Sequence, residues 1–220
     1  MLKLSLAAVS LASFIMAPLA MAQTSPFSTA PFTDVSASSP YYVAIEYMRQ
    51  NNVIRGYLDG TFRANARVNR AEMAQLLTNP LFLNNDGMSD CAVQNTTASD
   101  NTVFFTDVQA SVWYATPVCI AKQKRILDGY PTGRFEPGNP IIFAEAAKMI
   151  VNTFVSDLKV SPTDEKWYTQ YIQHLNDLKA VPTAVKTPDQ IMTRGEIVEM
   201  IYRVKLNGGA KTTTSSTDVR

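Results

Sequence analysis

Phe32–Val35 reads FTDV, and Phe105–Val108 reads FTDV again, 73 residues later. A tetrapeptide can recur by chance. The test is whether the same offset also aligns the residues downstream, since self-similarity at a fixed period marks repeat architecture. It does, without a gap, for some forty residues. Tyr41 falls on Tyr114, Ile54 on Leu127, Gly56-Tyr57 on Gly129-Tyr130, Gly60 on Gly133, Phe62 on Phe135, and Ala71-Glu72 on Ala144-Glu145.

A third, worn copy comes after these two. Trp167-Tyr168 lies 54 residues after Trp113-Tyr114, and Thr193-Arg194-Gly195-Glu196 takes the place of the Ala-Glu segment. The FTDV opening is replaced by Lys159-Val160-Ser161-Pro162, and the Gly-Tyr loop is gone.

Each copy reads as helix, tight loop, helix. Tyr41, Ala44, Ile45 and Met48 recur at helical spacing, as do Tyr114, Val118 and Ala121, and then Trp167, Tyr171, Leu175 and Leu178. Pro117 falls in the first turn, where a missing N–H costs least. Gly56 and Gly129 suit the positive-φ position past a helix end. The loops "GYLDGTF" (56–62) and "GYPTGRF" (129–135) predict turns that leave Phe62 and Phe135 as plugs in the core. The second helix starts at Asn69 and at Thr193, each followed three positions later by Glu72 or Glu196, the capping-box spacing. Ile142 stands there in the second copy and cannot cap. Asp34 and Asp107 are expected to cap or brace the first helix. Glu72, Glu145 and Glu196 read as caps or ion-pair partners, and Trp167 as core. One such hairpin cannot bury its apolar face alone; three can, around a shared axis.

The rest of the chain bounds the function. Lys3, an apolar run from Leu4 to Leu19 and Ala20-Met21-Ala22 predict a signal peptide over 1–22, cleaved after Ala22, hence export. The run is short for a membrane span and broken by Pro18. A formal charge of +1 argues against nucleic acid, which needs concentrated Lys and Arg. Cys91 and Cys119 are either a disulfide, as export permits, or two separate thiols. The organisation expected is signal peptide 1–22, N-terminal linker 23–31, repeats at 32–80, 103–156 and 157–206, a polar linker or insertion at 81–102, and a disordered tail at 207–220.

The motifs "FTDV…YY…GYLDGTF…VNRAE", "FTDV…WY…GYPTGRF…IFAE" and "WY…MTRGE" resemble surface-layer homology (SLH) repeats over Phe32 to about Val204. The resemblance implies an all-α fold of three helix–loop–helix units packed with pseudo-threefold symmetry. It implies non-catalytic anchoring to the cell envelope, at the cell surface. The partner would be an anionic, pyruvylated wall polysaccharide linked to peptidoglycan, held in grooves between units and gripped by the Arg of Thr-Arg-Ala-Glu. A guanidinium can hold the ketal carboxylate bidentately, and a helix start adds free N–H groups and a positive dipole end. Arg70 and Arg194 carry over onto that motif, whereas Phe143 stands in its place in the second unit. The groove headed by Arg70 with Asp59 and Gly60 is the first expectation, Trp113 is a sugar platform or core, and Arg194 is the second candidate. No cofactor and no metal are expected, and other surface proteins are further candidate partners.

Two other classes compete. One is a protein–protein scaffold or small surface-layer subunit. The other is a glycan-active enzyme, although the single His174 sits mid-helix and no carboxylate pair stands out. Calcium at Asn84–Asp90 is disfavoured, because the stretch lacks EF-hand ligand spacing.

Overall fold

A computed structural model describes residues 31–79, 88–155 and 166–208. The signal peptide, most of Asn84–Asp90, Lys159–Pro162 and the tail beyond 208 lie outside the described residues.

The apolar stripes fold as helices. Helices α1 (Tyr42–Gln50), α4 (Ala115–Gln123) and α6 (Thr169–Asp177) are the first helices of the three segments. Ala44, Ile45, Met48, Val118, Ala121, Tyr171 and Leu175 are all buried. Helices α2 (Arg70–Leu77), α5 (Phe143–Phe154) and α7 (Arg194–Gly208) are the second ones. Asn69 and Glu72 form the expected reciprocal cap, and Thr193 and Glu196 exchange the same bonds. At Ile142 only half survives: its N–H donates to Glu145 at 3.4 Å.

The fold is helical, with one small departure. The second FTDV lies on a strand, β2 (Phe105–Gln109), paired antiparallel with β1 (Thr102–Val103). The region expected as polar linker also holds a short helix, α3 (Cys91–Gln94). Cys91 and Cys119 are disulfide-bonded, their Cα atoms 5.9 Å apart, which ties α3 to α4.

Two local expectations hold only in part. The first helices end before Gly56 and Gly129, as expected, but several residues before, so neither glycine is the residue that closes the helix. Left-handed backbone falls earlier, at Asn52 (φ 57°), Arg125 (φ 59°) and Lys179 (φ 53°), corresponding places in the three segments. Gly129 does take the positive φ expected of it (70°) and Gly56 does not, and both are needed for room: a Cβ on Gly129 would lie 2.3 Å from Phe105 Cε1, and one on Gly56 2.5 Å from Phe32 Cε1. Asp34 and Asp107 do not cap a helix. Asp34 accepts the N–H groups of Phe62 and Arg63, both at 2.7 Å. Asp107 accepts those of Phe135 and Glu136, both at 2.8 Å. FTDV and the Gly-Tyr loop are therefore one device. The carboxylate grips the loop backbone while Phe32 packs on Phe62 and Phe105 on Phe135, and both plugs are fully buried.

The segments interlock. Helix α4 packs on α2, α6 on α5, and α1 on α7, so each first helix lies against a second helix of another segment. The extended residues before the second helices hydrogen-bond in a closed cycle. Val68 N–H donates to Met192 O (3.1 Å), Met192 N–H to Ile141 O (3.0 Å), and Ile141 N–H to Val68 O (2.8 Å). Val68, Ile141 and Met192 are all buried. Unpaired backbone there would be costly, and the cycle satisfies it without a sheet.

Candidate functional site

The three second helices start beside this cycle, so their first residues face the seams between segments. Arg70 and Arg194 make matching contacts. Arg70 Nε–H donates to Phe135 O at 2.7 Å, and Arg194 Nε–H to Phe62 O at 3.0 Å. Each guanidinium also stands over the plug ring and the loop tyrosine, Phe135 and Tyr130 for Arg70, Phe62 and Tyr57 for Arg194. Such cation–π contacts strengthen as water is excluded.

Their surroundings differ. Arg70 is only 5% exposed, and its Nη1 donates to Glu145 Oε1 at 2.8 Å. Tyr130 Oη donates to the same oxygen at 2.6 Å. Burial, and then the hydrogen bond to Glu145, push the Tyr130 phenol up to about 12. Arg194 makes no ion pair among the described residues; its Nη2 donates to Arg55 O at 3.3 Å.

Arg194 lines a cavity of about 790 Å³. Its walls are the loop Arg55–Tyr57, the outer face of α2 with Glu72 and Gln75, and the start of α4 with Trp113 and Thr116. Trp113 is 57% exposed and meets Tyr114 edge-on at 5.2 Å, so it belongs to the cavity wall and not to the core. Trp167, expected in the core, is 52% exposed and edge-on to Tyr168 in the same manner.

The structure thus brings together Arg194 and Trp113 of the sequence candidates. Arg70 heads another seam. Asp59 and Gly60 lie on an exposed turn that does not line the cavity. There Asp59 accepts from Thr61 and pairs with Arg63 Nη2 at 2.7 Å. These bonds, the Thr61 hydroxyl foremost, hold its carboxyl down at about 2. Tyr57, Glu72 and Thr116 line the cavity too and were not among the site candidates read from the sequence, which placed Glu72 as a cap or ion-pair partner. The recurrence of Tyr57 as Tyr130 in the two Gly-Tyr loops was the available sign.

The expected free N–H groups at the helix starts are absent. Arg194 N–H donates to Ala66 O and Gly195 N–H to Ala64 O. Arg70 N–H and Ala71 N–H donate to Asn139 O and Pro137 O in the same way. A ligand entering these seams would therefore meet side chains and not the amides of the helix starts. Among the described residues no cluster of three or more His, Cys, Asp or Glu could hold a metal, and no helix is long and apolar enough to cross a membrane.

Comparison with known proteins agrees with the first two copies of the repeat. The chain is 28% identical over 149 residues to the middle cell wall protein of Brevibacillus brevis, covering 68% of this chain and 13% of that protein. It is 29% identical over 157 residues to the surface layer protein of Brevibacillus choshinensis, covering 70% and 13%. To the cellulosome-anchoring protein of Acetivibrio thermocellus it is 25% identical over 163 residues, covering 68% and 34%. The chain spans about an eighth of the length of the first two relatives. The S-layer homology domain model matches residues 31–74 and 104–147, so this chain carries two S-layer homology segments.

Proposed function

We propose that the chain is a non-catalytic module that anchors to the cell envelope at the cell surface, by holding an anionic, pyruvylated wall polysaccharide in the groove headed by Arg194. In this reading 157–206 is a third, worn SLH unit, and the three units pack with pseudo-threefold symmetry. The cyclic hydrogen bonds among Val68, Ile141 and Met192 support that packing, as does the seating of α1 on α7.

One observation carries the assignment. Arg194 presents a guanidinium without a carboxylate partner among the described residues, in a cavity that also holds the half-exposed ring of Trp113. The guanidinium can take a ketal carboxylate as a charge-assisted pair. The indole offers a flat apolar face to the sugar ring, and Thr116 and Gln75 offer hydroxyl and amide groups to its oxygens. The names of the relatives, a cell wall protein, a surface layer protein and a cellulosome-anchoring protein, support an envelope role.

Cosedimentation of the purified chain with cell-wall sacculi tests the proposal. Retention should require the pyruvylated polymer and fall at least tenfold for Arg194→Ala. Equal retention on sacculi stripped of that polymer would overturn the glycan reading in favour of a protein–protein scaffold.

A further inference from the structure

We infer that the seam headed by Arg70 is a second carboxylate-binding site, kept closed because Glu145 of the same chain occupies it. Arg70 repeats three contacts of Arg194: the Nε–H bond to the plug carbonyl, the plug ring and the loop tyrosine. What it adds is a carboxylate. Glu145 Oε1 receives Arg70 Nη1 at 2.8 Å and Tyr130 Oη at 2.6 Å, two donors converging on one oxygen as they would on an incoming anion.

The corresponding glutamate of the first segment is Glu72, which lies in the wall of the Arg194 cavity, yet no ion pair joins it to Arg194 among the described residues. The tyrosine, the arginine and the plug recur in both seams, so the filled and open versions differ in where one glutamate points. An external carboxylate at Arg70 would have to expel Glu145 from a seam where Arg70 is almost wholly buried, leaving a charge without its partner. The tethered carboxylate also competes at a high effective concentration. Both effects keep the site shut. The ligand class is a small carboxylate, such as acetate or pyruvate. This inference borrows from the proposed function only the idea that the Arg194 position is an anion site.

Removing the internal occupant tests it without any wall polymer. The full chain bearing Glu145→Ala is melted with rising sodium acetate or sodium pyruvate, against matched sodium chloride. Either carboxylate should recover at least half of the melting temperature that the substitution removes, and the recovery should saturate. The unsubstituted chain and the Arg70→Met/Glu145→Ala variant should gain only what carboxylate bound in the Arg194 groove gives, which all three proteins share, and clearly less than Glu145→Ala. Equal responses in all three would overturn the inference. Should Glu145→Ala fail to fold, the unsubstituted chain decides through its arginine Nε–Hε resonances. An Arg70 signal that stays fixed during pyruvate titration supports self-occupancy, and one that moves saturably overturns it. The Arg194 signal reports separately on the proposed groove.

Discussion

Arg70 and Arg194 each give an Nε–H to the carbonyl of a loop phenylalanine, Phe135 and Phe62, yet among the described residues only Arg70 meets a carboxylate. The two side chains share a framework and differ in charge compensation. That difference separates their expected mutant behaviour.

Arg70→Ala breaks a buried ion pair and leaves Glu145 uncompensated, which costs about 3–5 kcal/mol. Arg194→Ala removes bonds to two carbonyls, Phe62 O and Arg55 O, worth about 1 kcal/mol each. Chemical denaturation should therefore show Arg70→Ala as much the less stable of the two, while sacculus retention should fall with Arg194→Ala. Equal stabilities would contradict the different compensation.

The FTDV clamp can be weakened by one atom. Asp34→Asn keeps one carbonyl oxygen where two backbone N–H groups, of Phe62 and Arg63, now find a carboxylate oxygen each. Loss of one charge-assisted bond and of the charge on the other should cost about 2–3 kcal/mol. Urea midpoints check this, and Asp107→Asn should behave alike.

Two loop glycines separate conformation from crowding. Gly133 has φ 76° and nothing within 4 Å of an added Cβ, whereas Gly129 has φ 70° and would meet Phe105 at 2.3 Å. Gly133→Ala should lose only the left-handed backbone term, about 1–2 kcal/mol. Gly129→Ala should lose clearly more, because the Phe105 ring must leave its place against Phe135. A comparison of melting temperatures distinguishes them.

The disulfide closes a loop with a sequence separation of 28. By the chain-entropy relation its loss should cost about 3–4 kcal/mol. Because Cys119 lies on α4, whose start carries Thr116 and Pro117 of the groove wall, Cys91→Ser/Cys119→Ser should also weaken glycan retention. Thermal melts and sacculus binding read the two effects.

Two groups give opposite pH signatures. Tyr130 is raised from 10.0 to about 12, chiefly by burial, so between those values the unfolded chain has lost a proton that the folded one keeps. Stability is intact below pH 10 and declines as pH rises toward 12. Asp128 is held below its ordinary 3.8, first by its hydrogen bond from Lys148. Its contribution is present above that value and is lost as pH falls. Tyr130→Phe should flatten the alkaline limb and Asp128→Asn the acid one, as measured by denaturation across pH.

Much of the local structure was legible along the chain. The spacing of Ala44, Ile45 and Met48, the Asn69–Glu72 and Thr193–Glu196 pairs, and the repeated Gly-Tyr loops are signals of a few residues' range, which sequence carries directly. The roles of Asp34 and Asp107 were not legible, since their bonds reach 28 and 29 residues along the chain to a backbone that carries no side-chain code.

Arg70 and Arg194 make the limit plainest. Sequence determined that both stand at the start of a second helix, each just ahead of a capping glutamate, Glu72 or Glu196. Only the folded chain decided that one would meet Glu145, 75 residues on, while the other faces a cavity walled by three segments. Motif residues are specified locally. Whether a buried charge is neutralised depends on which distant group the packing of helices brings within a few ångströms of it.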